Sequence, residues 1–213
     1  MIKLGAKELR TIIPSEEDLK KIKKNPIYII LDNVLDTYNV GAIFRLADAV
    51  AARKVILCGE TGTPPDSRIK KASINTTEWV TWSYAPTAVE AIQNLSKEFS
   101  TSGRTRRCVP SLEQYSSSES RATSRENREV QKLQVVAIEQ SERSIPYDKT
   151  DYKFPIALVV GNETTGVSKE ALEIADQIVE IPMWGVNKSL NVMVSLGIIL
   201  FRAMENIIWP SAR

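Results

Sequence analysis

Five short apolar runs, each closed by turn residues, constrain this chain more than any other feature. Residues 27–31, 54–58, 133–138, 156–160 and 178–181 have the length and composition of buried strands. Between them the apolar spacing becomes helical. Val40, Ile43, Phe44, Ala47 and Val50 form one stripe, and Val89, Ile92 and Leu95 form another within 86–97. Ser168 is placed to cap a helix over 169–177, and Pro182 stops the strand at 178–181. Strands alternating with helices predict an α/β fold with a mostly parallel sheet and flanking helices. With 213 residues, 43% of them hydrophobic, the chain can bury one sizeable core and is short for two. One domain is therefore expected over 26–209, after a short N-terminal extension at 1–25. Residues 16–24 of that extension run from acidic to basic, as in a helix aligned with its own dipole. They read as a solvated helix face or as an element that contacts a partner.

The chain contains no histidine, which removes Ser-His-Asp and Cys-His catalysis and every two-histidine metal site. Cys58 and Cys108 are far apart and belong to no C-x-x-C pair, so neither a disulfide framework nor a metal site is expected, and a reducing cytoplasm fits best. The first eight residues form no continuous apolar run, arguing against secretion. Asn191, Ser195, Gly197 and Arg202 interrupt the longest apolar stretch, so no membrane span is expected. A net charge of +2 means that a nucleic acid would have to be held by local basic patches.

One stretch breaks the rhythm. Helix-to-strand connections in α/β units usually take about 2–6 residues, yet more than thirty separate Ser96 from Leu133. Residues 100–131 are rich in Ser, Arg and Glu, and Val109, Leu112 and Tyr115 are their only large apolar residues before Val130. The segment reads as a disordered insertion, either inert or an arginine-bearing arm that grips a nucleic acid.

Three polar motifs sit where apolar runs meet turns: Asn39-Val40-Gly41 leading to Arg45, Gly161-Asn162-Glu163 leading to Gly166, and Ser189-Leu190-Asn191 ahead of a long apolar stretch. The glycine spacing of 161–166 alone admits a phosphate-binding loop, but Val167 stands where such a loop needs lysine. Taken together and in order, the motifs resemble those of the TrmH-like SpoU family of RNA ribose 2'-O-methyltransferases, within the SPOUT superfamily. The resemblance covers roughly 27–206. It implies an α/β sheet whose C-terminal part forms a deep trefoil knot, with S-adenosylmethionine held between loops, and a homodimer acting on tRNA or rRNA. SpoU proteins generally cross the 100–131 position with a short turn, so the chain departs from the family there.

Carried over residue by residue, the resemblance places the cofactor against Ile138, Gly161, Ile181, Met183, Ser189 and Leu190. Gly161 would let the adenosine approach the backbone, and Ile181 and Leu190 would supply apolar walls or be ordinary core. The implied catalytic set is Asn39, Arg45, Glu163, Ser189 and Asn191. Arg45 lies off the apolar stripe of its helix and is free to point into a cleft. In the family the matching arginine is proposed to activate the hydroxyl. Because a guanidinium stays protonated in proteins, we assign Arg45 to holding phosphate and stabilising the attacking oxygen, the alternative being an ion pair with Asp48 or another acid. Asn39 reads as a helix cap, as an orienter of the ribose or Arg45, or as both. Glu163 is expected near the sulfonium, with an ordering role toward Arg45 or a loop. The helix expected from Ser189 and Asn191 to Ile208 is apolar almost all round, implying a dimer face or a fully internal core. Arg68, Lys70, Lys71, Trp79, Trp82 and Tyr84 fit either RNA contacts or, at 79–82, a half-buried strand. The expected activity is methyl transfer to a ribose 2'-hydroxyl. A catalytically idle RNA-binding relative and a phosphate-binding nucleotidase are the alternatives.

Overall fold

In the computed structural model, residues 6–9, 11, 13–101 and 132–208 are described. The insertion expected at 100–131 lies almost entirely outside them. Two short helices, α1 (Ala6–Leu9) and α2 (Glu16–Lys20), precede the sheet, and α2 is capped by Ser15 and buries nothing. The core alternates β1 (Asn25–Asp32), α3 (Thr37–Ala49), β2 (Ala52–Cys58), α4 (Ser67–Ser73), β3 (Trp82–Ala85) and α5 (Ala88–Thr101). After these come β4 (Gln134–Ile138), β5 (Ile145–Pro146), β6 (Ile156–Gly161), α6 (Lys169–Ile174), β7 (Gln177–Glu180) and α7 (Val192–Ile208). The seven strands form one sheet in the order β3-β2-β1-β6-β4-β7-β5, and every pairing is parallel.

The central strands β1 and β6 are buried on both faces, which is why their sequences are continuous apolar runs. Ile27, Ile29 and Leu31 face the layer of α3 and α7, whereas Tyr28 and Ile30 face α5 and α6. Gly41 sets the distance between α3 and α4. A Cβ there would lie 2.6 Å from Ala72 Cβ and 2.7 Å from the Ile69 carbonyl oxygen, so a side chain would force the helices apart.

Several local expectations change. The half-buried strand is Trp82–Ala85 rather than 79–82, with a 3-10 turn at Thr76–Glu78 before it. The helix after Ser168 ends at Ile174, short of 177, because Asp176 turns back to accept the Val135 amide through its side chain. Ser168 stands at the N-cap position as expected, but its hydroxyl donates to Asp32 instead of capping the helix. The last helix begins at Val192, leaving Ser189 and Asn191 in the segment before it.

Candidate active site

Asp36, not Asn39, caps α3: its carboxylate accepts the Tyr38 amide at 2.8 Å. Asn39 therefore keeps its side chain for tertiary bonds, buried in the helix's first turn. A carboxylate can only accept, so the Asn39 amino group must face Glu163, and its oxygen is left for the amino group of Asn191. Both bonds are 2.9 Å. The Asn191 oxygen in turn accepts the Met193 amide at 2.9 Å, fixing that carboxamide against the start of α7. One buried amide thus joins all three motifs.

Glu163 also accepts the amides of Leu35 and Asp36, each at 3.1 Å, and so ties the β6 turn to the approach into α3. Burial alone would raise its pKa; the bonds from Asn39 and these backbone amides outweigh burial and hold the carboxyl below its ordinary range. Its bonds order the α3 approach and do not reach Arg45. Arg45 is exposed, and among the described residues no carboxylate pairs with it. Asp48, the alternative ion-pair partner, instead accepts the Trp79 indole N–H at 2.7 Å.

The turn after β6 is closed by its own atoms. Asn162 and Gly166 exchange backbone bonds, and the Asn162 side-chain oxygen accepts the amides of Thr164 and Thr165. The Val167 amide donates to Glu139 and the Ser168 amide to Asp32, each at 2.9 Å. Every amide from 164 to 168 is therefore spent inside the protein, so the turn offers no cradle for phosphate. This closure by itself requires Gly161, since a Cβ would lie 2.2 Å from the Gly166 carbonyl carbon. Asp32 is only 2% exposed, and besides the Ser168 amide it accepts the Ser168 hydroxyl at 2.6 Å and the Asn33 amide group at 2.9 Å.

Beside this turn, at the C-terminal ends of β4, β6 and β7, lies a cleft of about 420 Å³. Ligands of parallel α/β sheets bind at such strand ends. Ile138, Gly161, Ile181, Met183, Ser189 and Leu190, all six residues expected at the cofactor, line it together with Glu163 and Asn191. Ser189 is exposed, its amide and hydroxyl both directed at Asn187. Asn39 stands behind this wall through its bonds, and Arg45 is not part of the lining. Apolar side chains beside carboxylates suit a cationic nucleoside such as S-adenosylmethionine, so the residues present fit that group.

The sequence reading missed Glu139, Gln140 and Asp32. Glu139 and Gln140 line the cleft, and Gln140 donates to the Lys188 carbonyl at 2.6 Å, tethering the segment before α7. No motif marks them. Their position immediately after a buried parallel strand was the available signal.

A model of the SpoU rRNA Methylase family matches residues 26–122 and 107–201. A tRNA (guanosine(18)-2'-O)-methyltransferase of Aquifex aeolicus is 34% identical over 194 residues, covering 89% of this chain and 73% of that protein. The 23S rRNA (guanosine-2'-O-)-methyltransferase RlmB of Ralstonia nicotianae is 32% identical over 203 residues, covering 94% of this chain and 67% of that one. A crystal structure of an AdoMet-bound rRNA methyltransferase from Sinorhizobium meliloti has a TM-score of 0.62 at 28% identity, over 93% of this chain and 60% of the other. The chain thus spans from 60% to 73% of these relatives' lengths. Matched by the family's model from strand β1 into helix α7, and by relatives above 30% identity, the chain belongs to the SpoU rRNA methylase family.

Proposed function

We propose that the protein transfers a methyl group from S-adenosylmethionine to a ribose 2'-hydroxyl of tRNA or rRNA. The observation that carries this reading is the junction of Glu163, Asn39 and Asn191 on the wall of the cleft, which gathers the three family motifs at one point. When bound, the cofactor supplies an electrophilic methyl group. Ile138, Ile181 and Leu190 give the adenine apolar walls, with Gly161, Met183 and Ser189 completing the lining. Glu163 and Asn191 lock the Asn39 carboxamide, and Asn39 and Asn191 orient the ribose hydroxyl. Arg45 lies six residues beyond Asn39, about 9 Å along the helix axis, on an exposed surface. From there its guanidinium, protonated throughout, clamps an RNA phosphate and offsets charge growing on the attacking oxygen.

The finer features belong to the same reading. The C-terminal part, from β6 to α7, forms the family's trefoil knot. In support, residues 181–191 return beside the β6 turn to set Asn191 against Asn39, and α7 then packs on α3 and β6. Two copies pair through α7, whose Val194, Ile198 and Phe201 are 40%, 37% and 51% exposed in the single chain. Residues 100–131 are an insertion in the 26–209 domain, and 1–25 an extension. The two stretches matched by the family's model meet within 107–122, inside that insertion. Its RNA substrates place the enzyme in the cytoplasm, and the chemistry requires no metal.

Calorimetry with S-adenosylhomocysteine and ATP tests the reading. Micromolar binding of the first and none of the second is expected, and ATP binding alone overturns it. Mapping 2'-O-methyl sites in RNA with and without the protein then identifies the methylated nucleotide, and no difference between the two maps reduces the protein to an idle relative.

A further inference from the structure

Three carboxylates line the cleft, and one of them accepts a single backbone amide on each oxygen. Glu163 directs both oxygens at the α3 approach, and Glu180 accepts the Ser144 hydroxyl at 2.9 Å. Glu139, the residue after β4, accepts one amide on each oxygen, from Gln140 on Oε1 and Val167 on Oε2, both at 2.9 Å. A carboxylate oxygen has two acceptor directions. Each Glu139 oxygen therefore keeps one. Among the described residues no cation pairs with it.

Space is reserved for this group. Gly166 has a φ of +73°, and a Cβ on it would lie 2.1 Å from Glu139 Oε2. The second glycine of the 161–166 motif thus leaves room for a carboxylate that no motif contains.

The sheet order says which end of a ligand Glu139 meets. Asn39 and Glu163 join at the β1 and β6 side of the cleft, the side to which the proposed function assigns the RNA ribose, whereas β4 lies beyond β6. Glu139, which follows β4, therefore lies on the side of the cleft away from that junction, next to Ile138 on the apolar wall. We propose that the Glu139 carboxylate binds the cofactor's ribose, accepting its 2'- and 3'-hydroxyls on its two remaining acceptor sites. A carboxylate at the C-terminal end of a parallel strand suits a vicinal diol, since both groups are bidentate and charge-assisted bonds are the stronger ones.

This inference rests on the cofactor proposed above, and the experiment separates the two. Calorimetry compares S-adenosylhomocysteine with its 2',3'-dideoxy analogue on wild type, Glu139→Gln and Glu139→Ala, with melting curves reporting folding. Wild type should bind the natural compound at least about tenfold tighter than the analogue. Both variants should lose about that factor for the natural compound and little or nothing for the analogue. If both compounds weaken equally, Glu139 serves only to hold Val167 and the ribose contact is refuted; unchanged affinity in both variants refutes it too. Should the alanine variant fail to fold, the nearly isosteric glutamine variant still decides. Wild type binding neither compound would overturn the proposed cofactor, and with it this inference.

Discussion

Arg45 and Asn39 share one helix yet differ in how far the protein commits them. Asn39 is buried and bonded on both ends of its carboxamide, whereas Arg45 is exposed and unpaired among the described residues. Arg45→Ala should accordingly leave the melting temperature and S-adenosylhomocysteine affinity unchanged while lowering methyl transfer at least about a hundredfold, the usual cost of losing one placed charge stabiliser. Arg45→Lys should rescue little, because an ammonium lacks the planar fork. Wild-type turnover by the alanine variant would remove Arg45 from the site. Glu163 makes a prediction in pH. Its carboxyl is held low by its bonds, so the stabilisation it gives is complete above the ordinary carboxylate range and is lost as pH falls through the lowered folded value. The difference in melting temperature between wild type and Glu163→Gln should hold through mildly acidic solution and vanish only in stronger acid. A constant difference down to the lowest pH would show that the carboxylate charge is immaterial. Cys58 is simpler. Burial, aided by Asp32 and Glu90, pushes its thiol up to about 12, so iodoacetamide near neutral pH should alkylate it only after denaturation. The residue types at the three motifs were legible in the sequence. The reasons for the glycines were not: Gly161 is hemmed in by the closure of its own turn, and the obstacle at Gly41 lies in helix α4, which only folding brings near.

At the scale of elements, apolar periodicity carried the reading where an element buries a whole face. Strands β1, β2, β4, β6 and β7 and helices α3 and α5 announce themselves this way. Helix α4 does not, since Ile69 and Ser73 are its only buried residues and its place is set by contact with Gly41. Helix α7 was legible as apolar, and its division into two faces became visible only in three dimensions. Leu196, Ile199, Leu200 and Ala203 are buried in the chain, whereas Val194, Ile198 and Phe201 face outward. An outward apolar row on a helix that also positions Asn191 is expected to meet a second copy. Ile198→Asp or Phe201→Asp should yield monomer or aggregate by light scattering, with the buried face untouched. A stable wild-type monomer would defeat the pairing.

Over the whole molecule, the sheet takes its strands from both sides of residues 102–131: β1 to β3 come before, and β4 to β7 after. Replacing those residues by a short glycine-containing turn should preserve the melting temperature and S-adenosylhomocysteine affinity, because closure cost depends weakly on loop length. RNA affinity and its salt dependence then separate an inert insertion from a gripping arm, since Arg104, Arg106, Arg107, Arg121, Arg125 and Arg128 would contribute to both if they met phosphates. Unfolding on replacement would mean that the segment is structural. The bonds of Asn39 have a consequence in time. Its partners lie 124 and 152 residues further along the chain, so neither exists while the first half of the protein is being made. During synthesis the early strands can pair around β1 and still enclose no site. The junction can close only once the segment bearing Asn191 has left the ribosome, and a message cut short before that residue is expected to leave the Asn39 oxygen without its partner.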